Sequence, residues 1–287
     1  MDNLNQQNSD KFINLLSSQR FFYTQAKKNR NLKLLFAFLL VILSPIIILL
    51  FESTALILGI IGGIGVASSF IIDFIENKNV KTAANIQEQF DTEIFGIEWN
   101  RILLGAKIPI EIILDGNRNF KGEKTKMRDW YGNLTGINYP YNILICQRSN
   151  LIWDWRLRNK FAFGLILLLI LIVGLGVTIC ILKELTLANY LLGIFVPSIP
   201  AFTFSIREIY EHFTISKDKI ELMQVIDTLI EKDAIFNSDL RQIQDRIYSL
   251  RIKQALVPDW FYEKYRTDYE MNLTNSNRHF IDKLTKK

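Results

Sequence analysis

The chain alternates between long apolar blocks and amphipathic polar stretches, and the two patterns predict two different solvents. Residues 32–51, 54–74, 161–182 and 186–206 are each about 20 residues of nearly unbroken apolar sequence. A helix rising 1.5 Å per residue needs that length to cross a hydrocarbon core of about 30 Å. Only Glu52 and Ser53 separate the first two blocks, and only Lys183, Glu184 and Leu185 the last two. Links so short force two tight antiparallel hairpins. Outside the blocks, apolar residues recur at helical spacing. Phe12, Leu15, Leu16, Phe22 and Tyr23 mark an amphipathic helix within 1–31, lying on the membrane or on the polar domain. Val80, Ala83, Ile86, Phe90 and Ile94 mark another, ending near Gly96. In the tail, Ile220, Met223, Ile226, Ile230 and Ala234 form one stripe. Ile243, Ile247, Leu250 and Ala255 form the next, with Ser238 as its N-cap. The run 108–114 is open between a helix begun at Pro109 and a short strand, while the Gly, Asn and Lys content of 115–136 predicts a loop.

The stretch 140–182 stands out because it reads as one helix in two solvents. Its first half carries Gln147, Arg148, Asn150, Asp154, Arg156, Arg158 and Lys160; its second half is the third apolar block, and no Gly or Pro interrupts 141–163. A polar stalk joined rigidly to a span is a means of carrying a signal into a bilayer. Within the spans, Pro45, Pro197 and Pro200 predict kinks, since Pro removes a backbone donor and crowds the preceding turn. Gly59, Gly63 and Ala67 recur every four residues and form a flat stripe for close helix packing. The stripe serves either the neighbouring span or another subunit.

The pattern therefore predicts a mainly all-α integral membrane protein. It comprises a polar segment 1–31, a first hairpin 32–74, a helical insert 75–160, a second hairpin 161–206 and a helical tail 207–287. The net charge of +5 changes the picture only through its placement. Lys27, Lys28, Arg30, Lys33 and Arg207 crowd one side of the spans, which puts both termini and the insert in the cytoplasm. A polar leader without a small-residue cleavage site does not read as a secretory signal. Cys146 and Cys180 are roughly 50 Å apart on a straight helix, too far to pair. Two His and two unclustered Cys predict no metal site.

Candidate chemistry is sparse. Neither a G-x-S-x-G elbow, a Walker loop nor an H-E-x-x-H string occurs, so the expectation is a non-enzyme without a cofactor. His212 and His279 read as incidental, and Asp91, Glu93 and Glu98 as solvated faces. Ligand binding is better supported. Gln147, Asn150, Asp154 and Arg158 fall at i, i+3, i+7 and i+11, one polar face of the stalk, with an i,i+4 pair between Asp154 and Arg158. Arg148, Trp153, Trp155 and Arg156 occupy neighbouring faces. Arg forks grip phosphate and aromatic rings stack on bases, which makes Gln147, Arg148, Asn150, Trp153 and Arg156 candidates, with Arg128, Trp130 and Tyr131 from the loop. The competing assignment for Arg156, Arg158 and Lys160 is an interfacial belt at the lipid headgroups.

With Gln147-Arg148-Ser149-Asn150 and Trp153-Asp154-Trp155-Arg156-Leu157-Arg158 in view, the chain resembles the SMODS-associated four-transmembrane effectors of CBASS antiphage systems. The string from Ala83 to Asp91, Trp99-Asn100, Asp129-Trp130-Tyr131 and Val257-Pro258-Asp259-Trp260 add to the likeness, which spans most of the chain. The resemblance implies a bacterial inner-membrane effector and a homo-oligomer. Its ligand would be a cyclic di- or trinucleotide second messenger, made by a cognate nucleotidyltransferase that acts through its product rather than by contact. The spans would then damage the membrane lipid and abort the infection. Ligand-driven rearrangement of subunits, passed along the stalk, would open a pore or disorder the bilayer. The alternative is a constitutive membrane scaffold docking a cytosolic partner protein. A small transporter is disfavoured, because no ionisable residue lies deep in a span.

Overall fold

The computed structural model describes residues 3–132, 134, 136–152, 155–232, 234–253 and 255–285. Among the described residues all regular structure is helical. The helices are α1 (Asp10–Leu50), α2 (Ala55–Phe95), α3 (Arg101–Leu104), α4 (Ile110–Asn119), α5 (Tyr141–Ile152), α6 (Trp155–Leu182), α7 (Leu187–Tyr190), α8 (Val196–Ile230), α9 (Asn237–Lys253) and α10 (Asp259–Thr285). Each of the four apolar blocks lies in helix long and apolar enough to cross a membrane, so this is an all-α membrane protein. Leu35, Ile42, Ile57, Phe70, Leu167 and Ile170 are exposed along them, the side a bilayer would cover.

The spans do not stop where the apolar blocks do. α1 and α2 each run 41 residues without interruption, and α8 runs 35. The sequence boundaries at 31/32, 74/75, 160/161 and 206/207 therefore fall inside continuous helices. The N-terminal polar segment is thus the first span's own extension, not a separate helix lying on a surface. Continuation avoids leaving the orphan N–H and C=O groups of a helix end at the edge of the hydrocarbon. The predicted stalk is consequently one of several. Its own continuity at 153–154 lies outside the described residues, which flank that point with α5 and α6.

Beyond the spans these extensions form a polar bundle whose main hydrophobic core includes Phe12, Leu16, Ile86, Phe90, Ile143 and Ile243, with smaller clusters such as Ala84, Leu104 and Tyr248 beside it. The far half of α2 is its centre, buried nearly all round from Ala83 to Phe95, with α1, α5, α8 and α9 around it. Gly96, at φ 66°, closes α2 in the left-handed conformation that a residue lacking Cβ adopts without strain. Pro109 caps α4, which settles 110–114 as helical rather than strand and carries the helix through 115–119, where a loop was expected. There Asp115 accepts from Arg118 and Asn119, offsetting the poor helix propensity of the stretch. Ala234 lies past the end of α8 and is exposed, and Ser238 falls inside the first turn of α9 rather than at its cap.

In the spans α1 runs through Pro45, while Pro197 and Pro200 sit at the start of α8, directly after a π-helical turn at Leu191–Phe195. Close packing uses the other face of the glycine run. A Cβ on Gly62 would lie 2.8 Å from Pro197 Cα, and one on Gly65 would lie 2.8 Å from Phe36. Gly59 rests against Leu192, whereas Gly63 has nothing within 4 Å and Ala67 is exposed.

Candidate functional site

Three strings far apart in the sequence meet in the core of the polar bundle. α2 supplies Asn85, Glu88 and Asp91, the 129–131 turn supplies Tyr131, and α5 supplies Gln147 and Asn150; α9 supplies Arg241, Gln244, Tyr248 and Arg251. Helical spacing explains the selection. Ala84, Glu88, Asp91 and Phe95 form a second stripe beside the apolar one, and α9 packs on it. Glu88 and Asp91 are fully buried, which corrects the expectation of a solvated face at Asp91. Arg251 pairs with Asp91 at 2.6 Å and Arg241 with Glu88 at 2.8 Å. Gln244 Nε2 donates to Glu88 at 2.8 Å and to Asp91 at 3.1 Å. Gln147 Nε2 donates to the Leu240 carbonyl at 2.8 Å and to Gln244 Oε1 at 3.1 Å. The Tyr131 hydroxyl donates to Asp91 and accepts from Asn150 Nδ2 at 2.9 Å. Tyr248 donates to Asn85 at 2.6 Å.

The electrostatics follow from burial and pairing. Burial pushes the Glu88 carboxyl up, against the pull of Arg251. Burial, with the Asp91 carboxylate alongside, holds the Tyr131 phenol well above its ordinary value. Burial works against the Arg251 charge, but Asp91, Tyr131 and Glu88 outweigh it and raise its pKa. Two carboxylates and two guanidiniums thus balance in a dry core, where a lone charge would be costly.

The predicted ligand residues are divided by this geometry. Tyr131, Gln147 and Asn150 belong to the buried network. Arg148, next along α5, points away from it, pairing with Asp227 of α8 through Nε at 2.5 Å with its guanidinium 4.3 Å from the Phe280 ring of α10. Trp130 is half-buried against the core and Arg128 is exposed. The turn that presents them is pinned by the N-terminus. Asn8 exchanges two 2.8 Å hydrogen bonds with Asp129, which is held at φ 49°. Such a conformation is uncommon for a side-chain-bearing residue. Arg156 stacks on Trp155, 4.9 Å from its centroid, and is not brought to the others. Trp153 and Asp154 lie outside the described residues, so neither the Trp153 assignment nor the Asp154–Arg158 pair is described.

Arg158 and His212 differ from expectation. Arg158 is buried and donates to the Ala255 carbonyl at 2.7 Å, with His212 Nδ1 at 3.3 Å. It is therefore not a lipid-facing belt residue, and His212 does not stand alone. Glu93 is half-buried between Lys11 and Lys107. The residues that sequence reasoning missed are Glu88, Arg241, Gln244 and Arg251. For Glu88 the signal was the second stripe of α2, which a single-face reading of the helix passes over; the other three lie on α9.

Among the described residues no group of His, Cys, Asp and Glu is placed to hold a metal. An open groove of about 510 Å³ lies between α6 and α8, lined by Asn159, Phe213, Lys217 and Gln224 among others. None of the predicted ligand residues among the described ones lines it.

The sequence matches the family described as the SMODS-associating 4TM effector domain over residues 3–280. It is also similar to a probable CBASS effector molecule of Bacillus cereus strain VD146, 30% identical over 273 residues, covering 90% of this chain and 91% of that one. No solved structure matches.

Proposed function

The chain belongs to the family of SMODS-associating 4TM effector domains, and on that premise we propose that it is a membrane effector of a CBASS antiphage system. Its polar bundle faces the cytoplasm and senses a cyclic di- or trinucleotide; its spans then permeabilise the inner membrane, acting as a homo-oligomer. One observation carries this reading. The strings of α2, the 129–131 turn and α5 converge on a single buried polar network, whose central helix continues unbroken as a span. A displacement of α2 at that network is carried along the same helix into the span. Two guanidiniums could meet an anionic ligand: Arg128, which is exposed, and Arg148, which is buried and paired with Asp227 at the α5–α8–α10 junction and would have to exchange that carboxylate for the ligand. A ligand drives the change only by binding the active arrangement more tightly than the resting one.

The test is dye release from liposomes carrying the purified full-length protein, against a panel of cyclic di- and trinucleotides. At least one nucleotide is expected to trigger release, and Arg148→Ala to shift the response to higher ligand concentration without affecting membrane insertion. Release by Arg148→Ala equal to the parent's at every concentration removes Arg148 from the site. Calorimetry showing no heat with any nucleotide would leave the scaffold reading in its place.

A further inference from the structure

A second buried ionic cluster lies where the spans leave the bilayer, and it draws on three of the membrane helices. Arg30 of α1 pairs with Glu76 of α2 at 3.1 Å and with Glu208 of α8. Lys33, one turn further along α1, pairs with Glu76 at 2.6 Å and with Asp73. Arg207 reaches Asp73 at 2.6 Å and Glu211 at 2.8 Å. Arg30, Glu76 and Glu208 are almost wholly buried, at 3%, 5% and 3% exposure. Charges this dry persist only while every partner is present.

Above the cluster the same three helices enclose a narrow seam. Two glycines of α2 admit close contact along it, Gly65 with Phe36 and Pro200, and Gly62 with Pro197. Two hydroxyls on it, Ser205 Oγ and Ser44 Oγ, are buried without a hydrogen-bond partner among the described residues. At the far end Ile48, Ala55, Leu58 and Ile194 form an apolar plug. An unsatisfied hydroxyl in an apolar interior is costly, and water or an ion entering the seam would satisfy both.

We propose that the Arg30–Lys33–Asp73–Glu76–Glu208 cluster is the gate of an ion path running inside each protomer along the α1–α2–α8 seam. This rests on the permeabilising reading above and places the path within one chain rather than between subunits. At rest the ion pairs hold the three helices together and exclude water. When the polar bundle moves α2, the pairs separate, the freed charges recruit water, and the seam hydrates past Ser205 and Ser44 to the apolar plug. The gate carries both signs of charge, so the path takes small monovalent ions with little preference for sign.

The experiment is potassium efflux from liposomes holding the full-length protein, with no nucleotide present. Glu208→Gln, which keeps the volume and removes the charge, and Arg30→Met are each expected to raise efflux by about tenfold or more. In a Cys180→Ser background, Ser205→Cys is expected to react with a small cationic thiol reagent only when Glu208→Gln is also present, and the reaction to slow efflux. If Glu208→Gln keeps the parent's helix content and elution volume yet stays tight, the gate is overturned, and this decides the matter even if Arg30→Met does not fold. A leaky Glu208→Gln protein in which the thiol introduced by Ser205→Cys stays unreactive puts the path elsewhere. Because no nucleotide enters these assays, a parent that answers to no cyclic nucleotide defeats the sensing reading alone.

Discussion

Two clusters of buried charge sit on α2, about 18 Å apart along its axis, and they are built differently. At Glu88 and Asp91 the charges are held in a mesh of amides and a phenol, with Gln244 bonding both carboxylates and Tyr131 and Asn150 closing the far side. At Glu76 charge meets charge, Arg30 and Lys33 against Glu76 and Glu208, with few neutral groups between. A mesh of neutral donors keeps its shape when one charge is lost, because the remaining bonds hold the helices in place. In the ion-pair cluster the reserve is other charges alone, as Arg30 keeps Glu76 when Glu208 is lost, and the α1–α8 contact goes with the lost partner. The first arrangement suits a rigid core and the second a contact that opens.

The largest effect that would break this comparison is at the core. Asp91→Ala removes the nearer carboxylate of the buried Arg251 guanidinium, leaving Glu88 at 3.5 Å, and is expected to cost about 3 kcal/mol of stability, read by thermal unfolding in detergent. Liposomes carrying the surviving folded protein are expected to stay tight, unlike those with Glu208→Gln. Leakage from Asp91→Ala liposomes would erase the distinction between the clusters.

Packing between the clusters and the outer plug gives a smaller effect. Gly62→Ala drives a Cβ to 2.8 Å from Pro197 and is expected to cost about 1–3 kcal/mol. Gly63→Ala, with nothing within 4 Å, should be silent in the monomer. A measurable loss at Gly63 would show that its face is covered by another subunit.

Tyr131→Phe removes one buried hydroxyl from the mesh and is expected to cost about 1–2 kcal/mol. Its titration has a definite sign. The folded phenol is held above 10.0 by burial and by Asp91, so above pH 10 the unfolded chain releases a proton that the folded chain keeps. Stability therefore falls as pH rises past about 10, and Tyr131→Phe should flatten that fall.

The smallest effect is at the bundle surface. Burial alone would raise the Glu93 pKa, but Lys11 and Lys107 outweigh it and hold it below 4.5. Its contribution is present above pH 4.5 and lost as pH falls through the lowered value. Glu93→Gln should cost only a few tenths of a kcal/mol, as for other half-exposed pairs.

Much of the fold was legible because the signals are local. The apolar blocks and the core stripe of Val80, Ala83, Ile86, Phe90 and Ile94 stand in the sequence at the spacing the structure uses. The candidate site was legible in part. Tyr131, Gln147 and Asn150 were singled out and do meet, whereas Arg148 and Arg156 turn to other neighbours. Adjacent residues on a helix are about 100° apart, so neighbouring candidates seldom share a site. Glu88 and Asp91 were hidden because a carboxylate looks the same in sequence whether it faces water or an arginine from α9.

What the sequence by itself determined is the partition between solvents. Twenty apolar residues in a row, about the length of a bilayer core, have no other low-energy home, and the period of the remaining apolar positions makes the rest helical. What only the tertiary structure decided is which charges are dry and which helices are continuous. Both depend on partners brought from distant parts of the chain, such as Asp73 for Lys33 and Glu208 for Arg30. The energy of a buried charge is set by its neighbours in space, which no local pattern records.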